Sequence, residues 1–127
     1  MKKIRLLLVD DESDFLNVYT RRFARRNVDV STAATGKQAI EAVKSIKFDA
    51  VVLDVMMPGM SGIETLKKIK DIAPNIPVII LTGHANSEAL IQGMGGGAFD
   101  YMLKPVGTDE LYFKVLDAIK NRLVESD

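Results

Sequence analysis

The chain has no cysteine. That excludes disulfides, thiol nucleophiles and thiolate metal sites, and it suits a reducing compartment. A single histidine, His84, makes a zinc or copper centre a poor expectation. Net charge is absent as well: 17 basic residues balance 17 acidic ones across 127 positions. Such a balance exerts no global pull on nucleic acid or an anionic membrane. Apolar runs stay far below the roughly 18 residues that suggest a membrane span. The opening "MKKIRLLLVDDE" resembles a signal peptide only faintly, because its apolar run contains Arg5 and ends in three acids. These absences lead to an expectation of one cytoplasmic domain over residues 1–127, with no direct nucleic-acid or membrane partner.

Short apolar runs alternate with helix-period segments. "IRLLLV" (Ile4–Val9), "AVVLDV" (Ala50–Val55) and "VIILT" (Val78–Thr82) are nearly continuous, as strands buried on both faces require. "VDVSTA" (Val28–Ala33) and "FDYML" (Phe99–Leu103) have edge character. Between and after them, apolar residues recur at helical spacing: Phe15, Val18, Tyr19, Phe23; Ala39, Ile40, Val43, Ile46; Ile63, Leu66, Ile69, Ile72; and Leu111, Val115, Ala118, Ile119, Leu123. Ala85–Met94 is a weaker helix in a glycine-rich setting. Strand–helix alternation with right-handed crossovers predicts an α/β parallel sheet covered on both faces.

In such sheets ligands bind at the carboxyl ends of the strands. The first strand is followed by Asp10, Asp11 and Glu12. The third carries Asp54, the fourth ends in Thr82, and the fifth is followed by Lys104. A lone Asp is usually a cap and a lone Lys a solvated charge. Several carboxylates, a hydroxyl and an ammonium on one rim need another explanation. Crowded carboxylates call for positive charge. Oxygen-only donors suit Mg²⁺, with Mn²⁺ as a substitute. A cation and a lysine facing carboxylates are suited to an incoming phosphoryl group. Asp54, at the end of the central strand, is the candidate nucleophile.

The pieces "LLLVDDE", "VVLDVMMPGMSG", "PVIILTGHA" and "GAFDYMLKP", in this order, resemble the receiver domain of two-component response regulators, and the resemblance covers essentially the whole chain. It implies a flavodoxin-like, doubly wound five-stranded parallel sheet of order 2-1-3-4-5 with five helices. Asp54 would accept a phosphoryl group from a sensor histidine kinase, a histidine phosphotransfer protein or a small donor. Asp11, Asp54 and the Met56 carbonyl would be direct Mg²⁺ ligands, with Asp10 acting largely through water. Glu12 would not be a direct ligand. Lys104 would pair with the phosphoryl oxygens, Thr82 would move to hydrogen-bond them, and Tyr101 would turn inward. The Lys104–Pro105 bond would be cis. Met56 and His84 would sit at the site edge. Helix four, strand five and helix five would form the output face for a downstream protein or domain, or for a phosphorylation-dependent homodimer. The protein would catalyse only its own phosphorylation and dephosphorylation.

Other readings compete. A degenerate receiver would bind partners without phosphorylation, but Asp54, Thr82 and Lys104 are all present. An aspartyl-phosphate phosphohydrolase typically places an acid or threonine two residues beyond the nucleophile, where this chain has Met56. A flavin phosphate would be repelled by the strand-end acids. "RRFARRN" (Arg21–Asn27) is a solvated helix face, a nucleic-acid contact or a docking surface for the phosphotransfer partner. Met56, Met57 and Met60 either fill the loop or help kinase docking. Gly93, Gly95, Gly96 and Gly97 close a helix rather than open one, which is the reverse of a dinucleotide fingerprint. Gly93, Gly95 and Gly96 predict a fourth helix frayed or shortened at its C-terminal end, with raised mobility, whereas Gly97 suits a left-handed cap before the fifth strand.

Overall fold

Nearly continuous apolar runs suit strands buried on both faces, and the three central strands are the ones so buried. The computed structural model describes residues 3–56, 61–83 and 88–126. The strands are β1 (Ile4–Val9), β2 (Val28–Ala33), β3 (Ala50–Asp54), β4 (Val78–Thr82) and β5 (Asp100–Leu103). They form one parallel sheet in the order β2-β1-β3-β4-β5. The alternating patterns of β2 and β5 follow from their places at the two edges. The helices are α1 (Ser13–Ala24), α2 (Gly36–Ser45), α3 (Gly62–Ile72), α4 (Glu88–Gly95) and α5 (Thr108–Ser126).

Period-two alternation divides the core. Leu7, Val9, Val51, Leu53, Val78 and Ile80 face one side, where Ala39 and Val43 of α2 and Leu66 and Ile69 of α3 cover them. Leu6, Leu8, Ala50, Val52, Ile79 and Leu81 face the other, beneath Phe23 of α1 and Leu111, Val115 and Ala118 of α5. Two strands end one residue from expectation. Val55 keeps a ladder bond to the Leu81 carbonyl at 3.2 Å beyond the end of β3, and Phe99 donates to the Val78 carbonyl at 2.8 Å before β5 begins.

The helix starts are locally specified. Thr35 caps α2 by accepting from the Gln38 amide at 3.1 Å, and Ser61 caps α3 by accepting from the Glu64 amide at 3.1 Å. Helix α4 stops short of Gly96 and takes the left-handed cap expected at Gly97. Its start at 85–87 lies outside the described residues, but the helix runs through Gly95 and closes in a Schellman motif. Ala98 N–H donates to the Gly93 carbonyl at 3.2 Å and Gly97 N–H to the Met94 carbonyl at 3.4 Å. Gly97 occupies the left-handed position, with φ of 102°. Gly93 serves packing: an added methyl would lie 2.3 Å from Ile80 Cδ1, so its absence brings α4 close onto β4.

Of the four arginines in and just after α1, two are engaged within the fold. Arg22 Nη1 donates to Thr108 Oγ1 at 3.0 Å, and Arg26 pairs with Asp109. They tie α1 to the start of α5. Arg21 and Arg25 remain exposed.

Candidate functional site

Register brings the chemistry together. Val9 pairs with Leu53, so the next residues, Asp10 and Asp54, leave neighbouring strands side by side. Both follow the alternation of Leu8 and Val52, toward the side covered by α1 and α5. Met102 of β5 faces the same side, and two residues on Lys104 keeps that phase. Thr82 has the opposite phase and is fully buried, with its carbonyl accepting from the Lys104 amide at 2.8 Å.

Each strand-end aspartate makes the same local turn. Asp10 Oδ1 accepts from the Glu12 amide at 2.9 Å, and Asp54 Oδ1 accepts from the Met56 amide at 2.9 Å. Such i to i+2 bonds are the reason aspartate suits a strand-to-loop junction. They fix one oxygen of each carboxylate and leave the other free to face the centre. There Lys104 Nζ lies 2.6 Å from Asp10 Oδ2, 3.0 Å from Glu12 Oε1 and 3.4 Å from Asp54 Oδ2. Asp10 and Asp54 are buried, whereas Glu12 is exposed.

Charges this close shift one another's protonation. For Lys104, burial works against the charged form. The hydrogen bonds to Asp10 and Glu12 and the charges of Asp54 and Asp10 outweigh it, so Lys104 is held above its ordinary value. It stays protonated throughout the neutral range. Asp10 is pushed above the usual carboxylate range, chiefly by burial and also by the neighbouring Asp54 charge, against the bonds from Lys104 and the Glu12 amide. Its ionised form is therefore a cost to the fold. That contribution is fully favourable below the unfolded-state pKa and is lost as pH rises through the raised folded-state value. Asp10→Asn is expected to gain about 1 kcal/mol of stability at neutral pH, the scale typical of relieved functional-site strain. The gain should vanish in acid, and urea denaturation across a pH series checks it.

Glu12 is the site residue that sequence reasoning set aside. It stands at the N-cap of α1 yet makes no side-chain cap hydrogen bond. Its carboxylate instead reaches Lys104. A glutamate in a position that favours Ser, Thr, Asp or Asn was the available signal. Asp10, Glu12 and Asp54 place carboxylate oxygens within 4.8 Å of one another. Asp11, expected as a direct ligand, is exposed and stands outside this cluster. Met56 is 52% exposed at the site edge, and Tyr101 is 39% exposed on the edge strand, facing outward. The Lys104–Pro105 bond is cis. His84, Met57 and Met60 lie outside the described residues.

The donor set fits a hard divalent cation. It is all oxygen, and three carboxylates crowd within 4.8 Å of one another.

Residues 6–116 match the response regulator receiver domain family. The chain is 35% identical over 126 residues to the transcriptional regulatory protein ZraR of Klebsiella oxytoca, covering 98% of this chain and 28% of that protein. It is 38% identical over 114 residues to the DNA-binding transcriptional regulator NtrC of Escherichia coli, covering 90% and 24% respectively. The chain thus spans about a quarter of the length of these relatives. A CheY-like receiver domain protein from Methanospirillum hungatei superposes with a TM-score of 0.93 at 27% identity, over 98% of this chain and 99% of that one. The receiver domain of the Francisella response regulator 1452 gives 0.85 at 32% identity, over 94% and 98%.

Proposed function

Because this chain belongs to the response regulator receiver domain family of two-component signalling, we propose that it takes a phosphoryl group on Asp54, in a Mg²⁺-dependent reaction, and passes the signal through α4, β5 and α5. One observation carries the reading. Two buried carboxylates from adjacent central strands share a single ammonium at 2.6 and 3.4 Å.

The chemistry follows from that arrangement. An Asp54 oxygen attacks phosphorus, the bond to the donor's nitrogen or acyl oxygen breaks, and the electron pair leaves with the donor. The Met56 amide holds the carboxylate in one rotamer, so the attacking geometry is set beforehand. Lys104 meets the incoming oxygens with fixed positive charge. The proposed holders of Mg²⁺ or Mn²⁺ are Asp54, Asp11 and the Met56 carbonyl, with Asp10 through water. When bound, the cation offsets the negative charge gathered on the phosphoryl and carboxylate oxygens. Water later hydrolyses the acyl phosphate, so catalysis is confined to the protein's own modification.

The modification replaces a carboxylate by a group of greater charge with three acceptor oxygens. The Thr82 hydroxyl gains a partner there, and Tyr101 can fill the space its movement opens. The face so altered already exposes apolar side chains: Ile91 at 68%, Leu103 at 45% and Phe113 at 63%. A partner protein, an output domain or a second copy would bind it. The proposed donor is a sensor histidine kinase or histidine phosphotransfer protein, and the proposed compartment is the cytoplasm. No described helix is long and apolar enough to cross a membrane.

Intact mass after incubation with acetyl phosphate tests the reading. One phosphoryl adduct is expected with Mg²⁺ and none after chelation by EDTA. An adduct indifferent to the cation, or none at all, would sink it.

A further inference from the structure

The Lys104 ammonium has a neighbour besides the carboxylates. It lies 4.7 Å from the centre of the Phe15 ring, over its face. Phe15 is half-buried in the first turn of α1. One turn later Tyr19 stacks on it, with ring centres 4.4 Å apart and planes 26° from parallel. The Tyr19 hydroxyl donates a buried hydrogen bond to the Val106 carbonyl, two residues beyond Lys104. On the other side, the Lys104 amide is bound to the Thr82 carbonyl at 2.8 Å. Backbone and side chain of Lys104 are thus both located by groups that are not acids.

We propose that Phe15 and Tyr19 are positioning residues for Lys104: Phe15 holds the ammonium through its ring face, and Tyr19 anchors both that ring and the loop after β5. The inference rests on the proposed role of Lys104 at the phosphoryl group. Its logic is competition. Asp10, Glu12 and Asp54 hold the ammonium here, yet their oxygens are the ones a divalent cation draws upon. A ring face attracts an ammonium through its quadrupole and offers a hard divalent cation no oxygen ligand. Phe15 therefore keeps Lys104 at the site once its carboxylate contacts are contested. Plain core filling explains neither feature, because leucine would fill the same space without a π face and phenylalanine would replace Tyr19 without a hydroxyl.

The test compares native protein with Phe15→Leu, Phe15→Tyr and Tyr19→Phe. In the absence of any phosphodonor, the Lys104 ε-methylene protons should resonate upfield from the ring current, and Phe15→Leu should return them to the ordinary lysine position. With acetyl phosphate at saturating Mg²⁺, Phe15→Leu should slow phosphoryl uptake roughly fivefold to tenfold, the range of a partly desolvated cation–π contact. Mg²⁺ affinity, read from amide shifts, should not change, and Phe15→Tyr should restore the rate. Tyr19→Phe should lose roughly twofold to threefold, as for one neutral hydrogen bond. Should Phe15→Leu fail to fold, Phe15→Met carries the same comparison. A native rate in the Leu or Met variant, or a loss that Tyr does not restore, would overturn the proposal. Native protein that takes no phosphoryl group would refute the proposed function instead. The methylene shift then decides the positioning claim alone, and an ordinary shift in native protein would end it.

Discussion

Asp54→Asn is expected to keep the fold and lose phosphoryl uptake, by at least about a thousandfold, the scale on which removal of a nucleophile acts. The substitution preserves shape. The amide oxygen can still accept from the Met56 amide, and Lys104 retains Asp10 and Glu12, so no buried cation is stranded. One carboxylate fewer also eases the crowding around Asp10, whose protonation Asp54 influences directly. Thermal denaturation should therefore show a melting temperature equal to or slightly above that of the native protein. Activity and stability move in opposite directions, as they do where like charges are gathered for chemistry. Time-resolved intact mass with acetyl phosphate and Mg²⁺ reads the loss. Undiminished uptake would mean that another group accepts the phosphate.

Lys104→Met should cost both. Methionine keeps much of the stem's volume but removes the charge. Asp10 and Asp54 are then buried carboxylates without a cation, and breaking such a pair by deleting one partner costs roughly 3 kcal/mol. Contact with the Phe15 ring loses its cationic component as well. Mg²⁺ should narrow the gap, because a divalent cation replaces the missing charge. A ligand at about a hundredfold excess over its Kd adds about 2.7 kcal/mol. Uptake of phosphate should fall roughly a hundredfold, the effect of one preorganised electrostatic contact. Urea denaturation with and without Mg²⁺ separates the two consequences. Full native stability in the metal-free variant would show that Lys104 does not bind the acids in solution as it does here.

The residues differ in how far the chain alone discloses them. Asp10, Asp54 and Lys104 were legible because each follows an apolar strand, and parallel register carries strand ends to one rim. The sheet order needed family resemblance, since β2 and β5 share edge character and nothing local says which strand lies beside which. Glu12 was underread: its engagement with Lys104 depends on a contact 92 residues away. Asp11 entered the ligand set through family resemblance alone, since no local pattern marks which of two adjacent aspartates a cation would take. Gly93 read as a helix weakener because Ile80, which needs its missing methyl, comes from another element. Phe15 and Tyr19 read as an apolar stripe. Only three-dimensional packing shows that one lies under an ammonium and the other holds a loop carbonyl.

The most direct test of the central claim is to locate the phosphoryl group. Acetyl-phosphate-treated native protein, reduced with borohydride and mapped by peptide mass spectrometry, converts an aspartyl phosphate to homoserine at its own position. The account predicts homoserine at position 54 and at no other. Homoserine at position 10 or 11, or its absence after a demonstrated phosphoryl adduct, would contradict it.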